Sequence, residues 1–285
     1  MSTLWEKVTR EAKLISLPEA YLRLKSVVER PDYEVTEIAD AVSTDPALTT
    51  RVLRLVNSPY FGLAGRIETV IRAVSMLGAQ QIHDLALTTC IAHAFSGIDP
   101  AHLDMRSFWR GSVFSGLAAQ QLAKHRGVLD SERLFVAGLL SDIGHLILYQ
   151  SVPQEIMGAD KQAREQQLPP VEVERELLGL DYARVGAALM RQWQLPDSLV
   201  ETTEFHPEPL RSRKYPLETS IVHIAVLLSR SSNEDQPFDQ GTLQPHPSAM
   251  DTARVSSGIC LEISETVESE VDKLLETLAP LRKAS

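Results

Sequence analysis

The apolar residues of this chain recur at helical spacing almost from end to end, and no run of alternating β-branched residues is long enough to form a sheet. That periodicity restricts the fold to packed helices. In "DPALTTRVLRLVNSPYFG", Leu48, Val52, Leu55 and Val56 form one face. Asp45 is placed to cap that helix, Pro46 suits its first turn, and Asn57-Ser58-Pro59 reads as its stop. Val70, Val74 and Leu77 share a face that ends at Gly78. Ile82, Leu85 and Thr89 share the next. Gly97 and Pro100 mark a joint, with Asp99 a cap for the next helix. Long helices are expected around 104–125 and 131–150, succeeded by helices capped at Asp181, starting at Pro196, and running through "PLETSIVHIAVLLSR".

The reading is all-α in two helical lobes. Residues 1–100 form an N-terminal lobe and 101–230 a second helical bundle. A polar, Pro- and Ser-rich loop spans 231–251. Acidic helices over 252–285 pack back on the body through Val267, Val271, Leu274, Leu275 and Leu278.

Net charge is −10, which disfavours nucleic acid as a partner. The short basic run Arg211, Arg213, Lys214 has no interleaved aromatics and reads as a solvated loop. Cys90 and Cys260 lie in apolar helical contexts outside any CxxC pair, as expected of buried free thiols in a reducing cytoplasm. The first residues mix charges and lack the apolar core of a signal peptide. No apolar run is expected to approach the roughly 20 residues of a membrane span. Glycine-rich phosphate loops, the G-x-S-x-G elbow, HExxH and zinc-type Cys/His spacings are all absent. Trp109 and Trp193 belong to core patterns whose indole N–H groups need acceptors.

Chemistry concentrates in "GLLSDIGHLIL", where Asp142 and His145 stand one helical turn apart in an apolar run. Around it the chain resembles the HDOD family, the HD-related output domains of bacterial signalling proteins. The stretches that carry the resemblance are "SLPEAYLRLKSVV", "STDPALTTRVLRLVNSPYFG", "IETVIRAVSMLG", "FWRGSVFSGLAAQQLA", "FVAGLLSDIGHLIL" and "LLGLDYARVGAALMRQWQLPDSLVETTEFHPEP", over about residues 16 to 230. Asp45-Pro46 and Asn57-Ser58 are its N-terminal signature.

The resemblance implies kinship with HD phosphohydrolases, which hold divalent metals on packed helices to activate water. Carried over by position, the metal-binding pattern falls on Gly111, Ser141-Asp142, Tyr182, Phe205-His206 and Val226. Only Asp142 and His206 keep ligand-type side chains. His145 and His223 are extra polar groups near the right helices. Two ligands fall short of the three protein ligands plus open position of a zinc hydrolase. Asp142 is then expected to serve the fold, satisfying backbone amides or a neighbouring histidine. His206, before Pro207, reads equally as a helix C-terminal cap, Asn57 as a left-handed stop and Ser58 as a cap on the next turn.

These readings imply a cytoplasmic, non-enzymatic signalling module with no metal or cofactor, acting on other signalling proteins and not on membranes. The alternatives are a residual metal-dependent phosphohydrolase and a pseudoenzyme that senses a nucleotide such as cyclic-di-GMP.

Overall fold

A computed structural model describes residues 3–233 and 244–278, and every regular element among them is helical. In chain order these are α1 (Leu4–Leu14), α2 (Glu19–Val28), α3 (Val35–Ser43), α4 (Pro46–Val56), α5 (Val70–Leu77), α6 (Ala79–Ala94), α7 (Met105–His125), α8 (Ser131–Leu140), α9 (Ile143–Ser151), α10 (Pro153–Gln166), α11 (Pro170–Leu178), α12 (Tyr182–Gln192), α13 (Asp197–Phe205), α14 (Pro216–Asn233), α15 (Pro247–Ala253) and α16 (Ser257–Leu278). Short 3₁₀ turns lie at Pro59–Phe61 and Pro209–Arg211.

The chain forms two compact units. One comprises residues 1–15 and 98–271, the other 16–97 and 272–285. The first fifteen residues therefore group with the second half of the chain rather than with an N-terminal lobe. In their unit α1 packs on α9 and α12, and Ile15 O accepts the indole N–H of Trp193 at 3.0 Å.

In the unit built on α2–α6, local chemistry sets the helix starts. Asp45 accepts from the N–H groups of Ala47 and Leu48 at 2.8 and 3.0 Å, and Thr69 caps α5. Gly78, at φ +86°, joins α5 to α6 in backbone that other residues rarely adopt. Helix α6 is buried on nearly every side from Ile82 to Ala92 and so has no single apolar stripe. Asn57 is not left-handed (φ −85°). Its side chain instead clasps a loop ten residues on: Oδ1 accepts from Ile67 N–H at 2.7 Å, and Nδ2 donates to Ile67 O and Leu53 O. Ser58 caps nothing with its side chain. Its Oγ is buried without a hydrogen-bond partner.

In the unit carrying α7–α15, α7 packs on α8 and α14, and α9 on α12. Asp104, not Asp99, caps α7, while Asp99 holds a turn through Ala101 N–H. The expected helix over 131–150 is broken at Ser141-Asp142. Ser141 N–H bonds to Gly138 O, and Asp142 takes φ −98°, ψ 11°. The physical reason is a very close helix contact just beyond. A Cβ on Gly144 would lie 1.9 Å from Tyr182 O, and one on Gly186 would lie 3.2 Å from Gly144 N. Bending the chain before Gly144 lets α9 press backbone to backbone on α12.

The stretch Ser131–Ser151 does reach the length and hydropathy of a membrane span, contrary to expectation, but 89% of its apolar window is buried inside the protein. The polar loop expected over 231–251 is shorter than read. Residues 231–233 continue α14, and Pro247–Ala253 is a helix with Pro247 in its first turn and His246 capping Ser248 N–H. Residues 234–243 lie outside the described set. Val267, Val271, Leu274, Leu275 and Leu278 are buried along α16, as their spacing predicted. Both cysteines are buried free thiols, their pKa values pushed up by burial to about 12 for Cys90 and about 11 for Cys260.

Gly144→Ala is expected to destabilise the protein by roughly 3 kcal/mol or more, because a backbone carbonyl occupies the space its methyl needs. Gly158→Ala, in open surroundings on α10, is expected to stabilise it by about 0.5–1 kcal/mol. Urea unfolding of the two variants checks the contrast.

Candidate functional site

The break at Ser141 brings Asp142 to the C-terminal end of α13 and the last turns of α14. His206 ends α13 and is buried. Its Nδ1–H donates to Thr203 O at 2.9 Å, which turns Nε2 toward Asp142 Oδ1, 3.5 Å away. Tyr182, at the start of α12, has its hydroxyl 3.2 Å from the same Nε2. Arg230, one turn after Val226 on α14, donates to Tyr182 Oη at 3.0 Å, lies 3.8 Å from Asp142 Oδ2, and stands over the Tyr182 ring. The four groups form a circuit of carboxylate, imidazole, phenol and guanidinium, hydrogen-bonded at Tyr182 and joined to Asp142 by ion-pair contacts of 3.5 and 3.8 Å.

The electrostatics of the site arise from that circuit. Burial works against a charged Asp142, but His206, Arg230 and His145 outweigh it and hold the carboxyl well below its usual range. Asp142 Oδ1 nevertheless has no hydrogen-bond partner, and the side chain caps no backbone amide. Its partners are a neighbouring histidine, as expected, and an arginine that carries no family motif. Tyr182 stays a neutral phenol, its pKa raised by burial and by the Asp142 and Glu174 charges, with Arg230 opposing.

His223 makes two bonds that require opposite ring nitrogens. Nδ1–H donates to His206 O at 2.8 Å, and Nε2 accepts from His246 N–H at 3.0 Å. Only the neutral ring does both. Burial, with the nearby His206, Arg230 and His246, lowers its pKa to about 4.

Of the positions carried over from the metal-binding pattern, the structure brings together Asp142, Tyr182 and His206. Tyr182, His206, His223, Val226 and Arg230 line one cavity of about 560 Å³, along with Leu227, Arg211 and several prolines. Phe205 is a correction: it lines a different pocket with Glu201, Arg213 and Lys214, under the guanidinium of Arg211. Ser141 is fully committed to Gly138 O, and Gly111 offers only its carbonyl, which accepts from Ser229 Oγ at 2.9 Å. Neither lines the cavity. His145 acts on Asp142 as a nearby charge. It stacks on Tyr182 (4.0 Å between ring centroids) and sends Nε2 to Glu174 at 2.9 Å. Arg230 and Glu174 were missed. Arg230 has a weak sequence signal, a lone cation closing the apolar run after Val226. Glu174 has none, since its full burial depends on three helices meeting.

The site does not fit the divalent metal that HD kinship implies. Asp142 and His206 are the retained donors, and a guanidinium already stands beside the carboxylate. Two donors, one of them a carboxylate that already faces Arg230 at 3.8 Å, fall short of the three protein ligands such a metal takes.

Comparison with known proteins places the chain. The HDOD domain profile matches residues 14–209, and the protein belongs to the HDOD domain family. An uncharacterized protein of Treponema pallidum (strain Nichols) is 27% identical over 229 residues. The match covers 79% of this chain but only 44% of that one, so this chain spans less than half of its relative's length. A Shewanella amazonensis SB2B protein, named as a suspected phosphohydrolase, superposes with TM-score 0.75 at 25% identity over 96% of this chain and 98% of its own. A Geobacter sulfurreducens HDOD domain protein of unknown function superposes with TM-score 0.73 at 23% identity over 95% and 97%. The fold is thus that of the HDOD domain family.

Because folded His223 titrates near 4 and an unfolded histidine near 6.5, the unfolded chain alone takes up this proton between those values. Stability from this group is complete above about pH 6.5 and is lost as pH falls toward 4, by on the order of 3 kcal/mol. Urea unfolding at pH 7.5 and 5 checks this: the difference between the two is expected to shrink in His223→Gln.

Proposed function

We propose that this protein works as a non-enzymatic output or adaptor module in signal transduction, acting by binding other signalling proteins. The observation that carries the reading is Arg230, whose guanidinium accompanies Asp142 where a hydrolase of this lineage needs a metal dication. With Asp142 engaged by Arg230 and His206, the ligand-type side chains at the inherited positions number two, short of the three that a catalytic metal takes. The kinship to suspected phosphohydrolases is then a kinship of fold. The expected result is that the purified chain, supplied with Mn²⁺, Fe²⁺ or Zn²⁺, hydrolyses neither bis-p-nitrophenyl phosphate nor cyclic-di-GMP above the metal blank. Turnover that disappears in Asp142→Ala would overturn the reading.

One observation favours a second reading, a pseudoenzyme that senses a nucleotide. The 560 Å³ cavity has the size of a small-molecule site. It combines apolar walls from Val171, Val226 and Leu227 with the cations Arg211 and Arg230. A base and a phosphate would suit these two linings. On this reading cyclic-di-GMP raises the melting temperature, since a ligand of the folded state alone stabilises it, and the rise is lost in Arg211→Ala. Arg211 is more than half exposed, so its removal leaves the fold intact.

A further inference from the structure

Beside Tyr182, three ligand-type side chains converge from three helices. His145 comes from α9, Asp160 from α10 and Glu174 from α11. Each offers one ligand atom, and the three atoms lie within 4.8 Å of one another. We propose that they form a second cation site, distinct from the ancestral HD position, which takes one first-row divalent transition ion as a structural staple.

The first argument is charge. Glu174 is fully buried, and a buried carboxylate requires a compensating positive charge. Its partners among the described residues are His145 Nε2 at 2.9 Å and the Tyr182 N–H at 2.7 Å. Asp160 accepts from the Tyr149 hydroxyl. The nearest arginine in sequence, Arg175, is spent on Asp181 (2.7 Å) and Glu208 (2.6 Å). Two carboxylates and one imidazole thus face each other with no lysine or arginine at ion-pairing distance from either acid among the described residues.

The second argument is donor chemistry. One imidazole with two carboxylates is a set that borderline divalent ions accept. Each carboxylate has an outer hydrogen bond that aims it, Tyr182 N–H on Glu174 Oε2 and the Tyr149 hydroxyl on Asp160, and His145 is held by stacking on the Tyr182 ring. Metal ligands are ordinarily steadied in this way. The cluster is also separate from the cavity, since none of its three residues lines it. An ion here would tie α9, α10 and α11 together without reaching a substrate.

The test uses the full chain stripped with chelator and titrated calorimetrically with Zn²⁺, with Co²⁺ absorption as the optical readout. One ion per chain is expected, with a cobalt spectrum free of sulfur-to-metal bands. Asp160→Asn, on the partly exposed edge of the cluster, and the isosteric Glu174→Gln are each expected to weaken binding by at least roughly tenfold, and Tyr149→Phe by roughly tenfold through the lost orienting bond. Asp142→Asn, outside the three ligands but near enough to His145 to act on it as a charge, should keep one ion bound with far less loss of affinity than either ligand variant. Circular dichroism confirms that each variant is folded. Less than one ion bound overturns the proposal and leaves a proton-bridged structural cluster. Binding that survives Asp160→Asn and Glu174→Gln together overturns it as adventitious. Binding lost in Asp142→Asn places the ion at the ancestral position and overturns it as well.

Discussion

A carboxylate partly withdrawn from water demands a positive charge nearby, and the helices around Asp142 are organised by how that demand is met. Three features converge on it. The helix breaks at Ser141, the contact of Gly144 with Tyr182 and Gly186 sets where α9 can lie, and α14 is long enough to carry Arg230 one turn past Val226. Remove the close glycine contact and Asp142 has no fixed position. Remove Arg230 and the carboxylate is left with one imidazole at 3.5 Å. An HD hydrolase answers the same demand with a metal. Here a guanidinium stands beside the carboxylate.

Tyr182 joins this circuit to its neighbour. Its hydroxyl serves Arg230 and His206, its backbone N–H serves Glu174, and its ring stacks on His145. It occupies a position where a ligand histidine would be expected from HD kinship. The phenol contributes a hydrogen-bonding tip and an apolar face, and so it fits between two polar clusters that each carry acidic charge. Both clusters lie in the unit formed by residues 1–15 and 98–271, and the Asp45-Pro46 and Asn57-Ser58 signature lies wholly in the other.

Much of the helix scaffold was legible in the residues because its determinants are local. Asp45, Gly78 and Asp181 act on groups within about one helical turn, and they do so here. Asn57 was misread for the opposite reason: its partner is Ile67, and only the folded loop brings them together. The helix within the polar stretch after α14 was hidden by its prolines, one of which starts it. Within the site, Asp142, Tyr182 and His206 could be found by position. Phe205 could not be assigned a direction, and Glu174 looked like any surface glutamate in "VEVERELL".

The amino-acid sequence by itself determined that the chain is helical, where most helices begin, and which two ligand-type residues survive at the HD positions, since periodicity, caps and residue identity are properties of neighbours along the chain. Only the tertiary structure decided what those residues do. The charge beside Asp142 comes from a side chain 88 positions away, and the carboxylates facing His145 come from two other helices. Electrostatic compensation acts through a few ångströms of space, whatever the separation along the backbone.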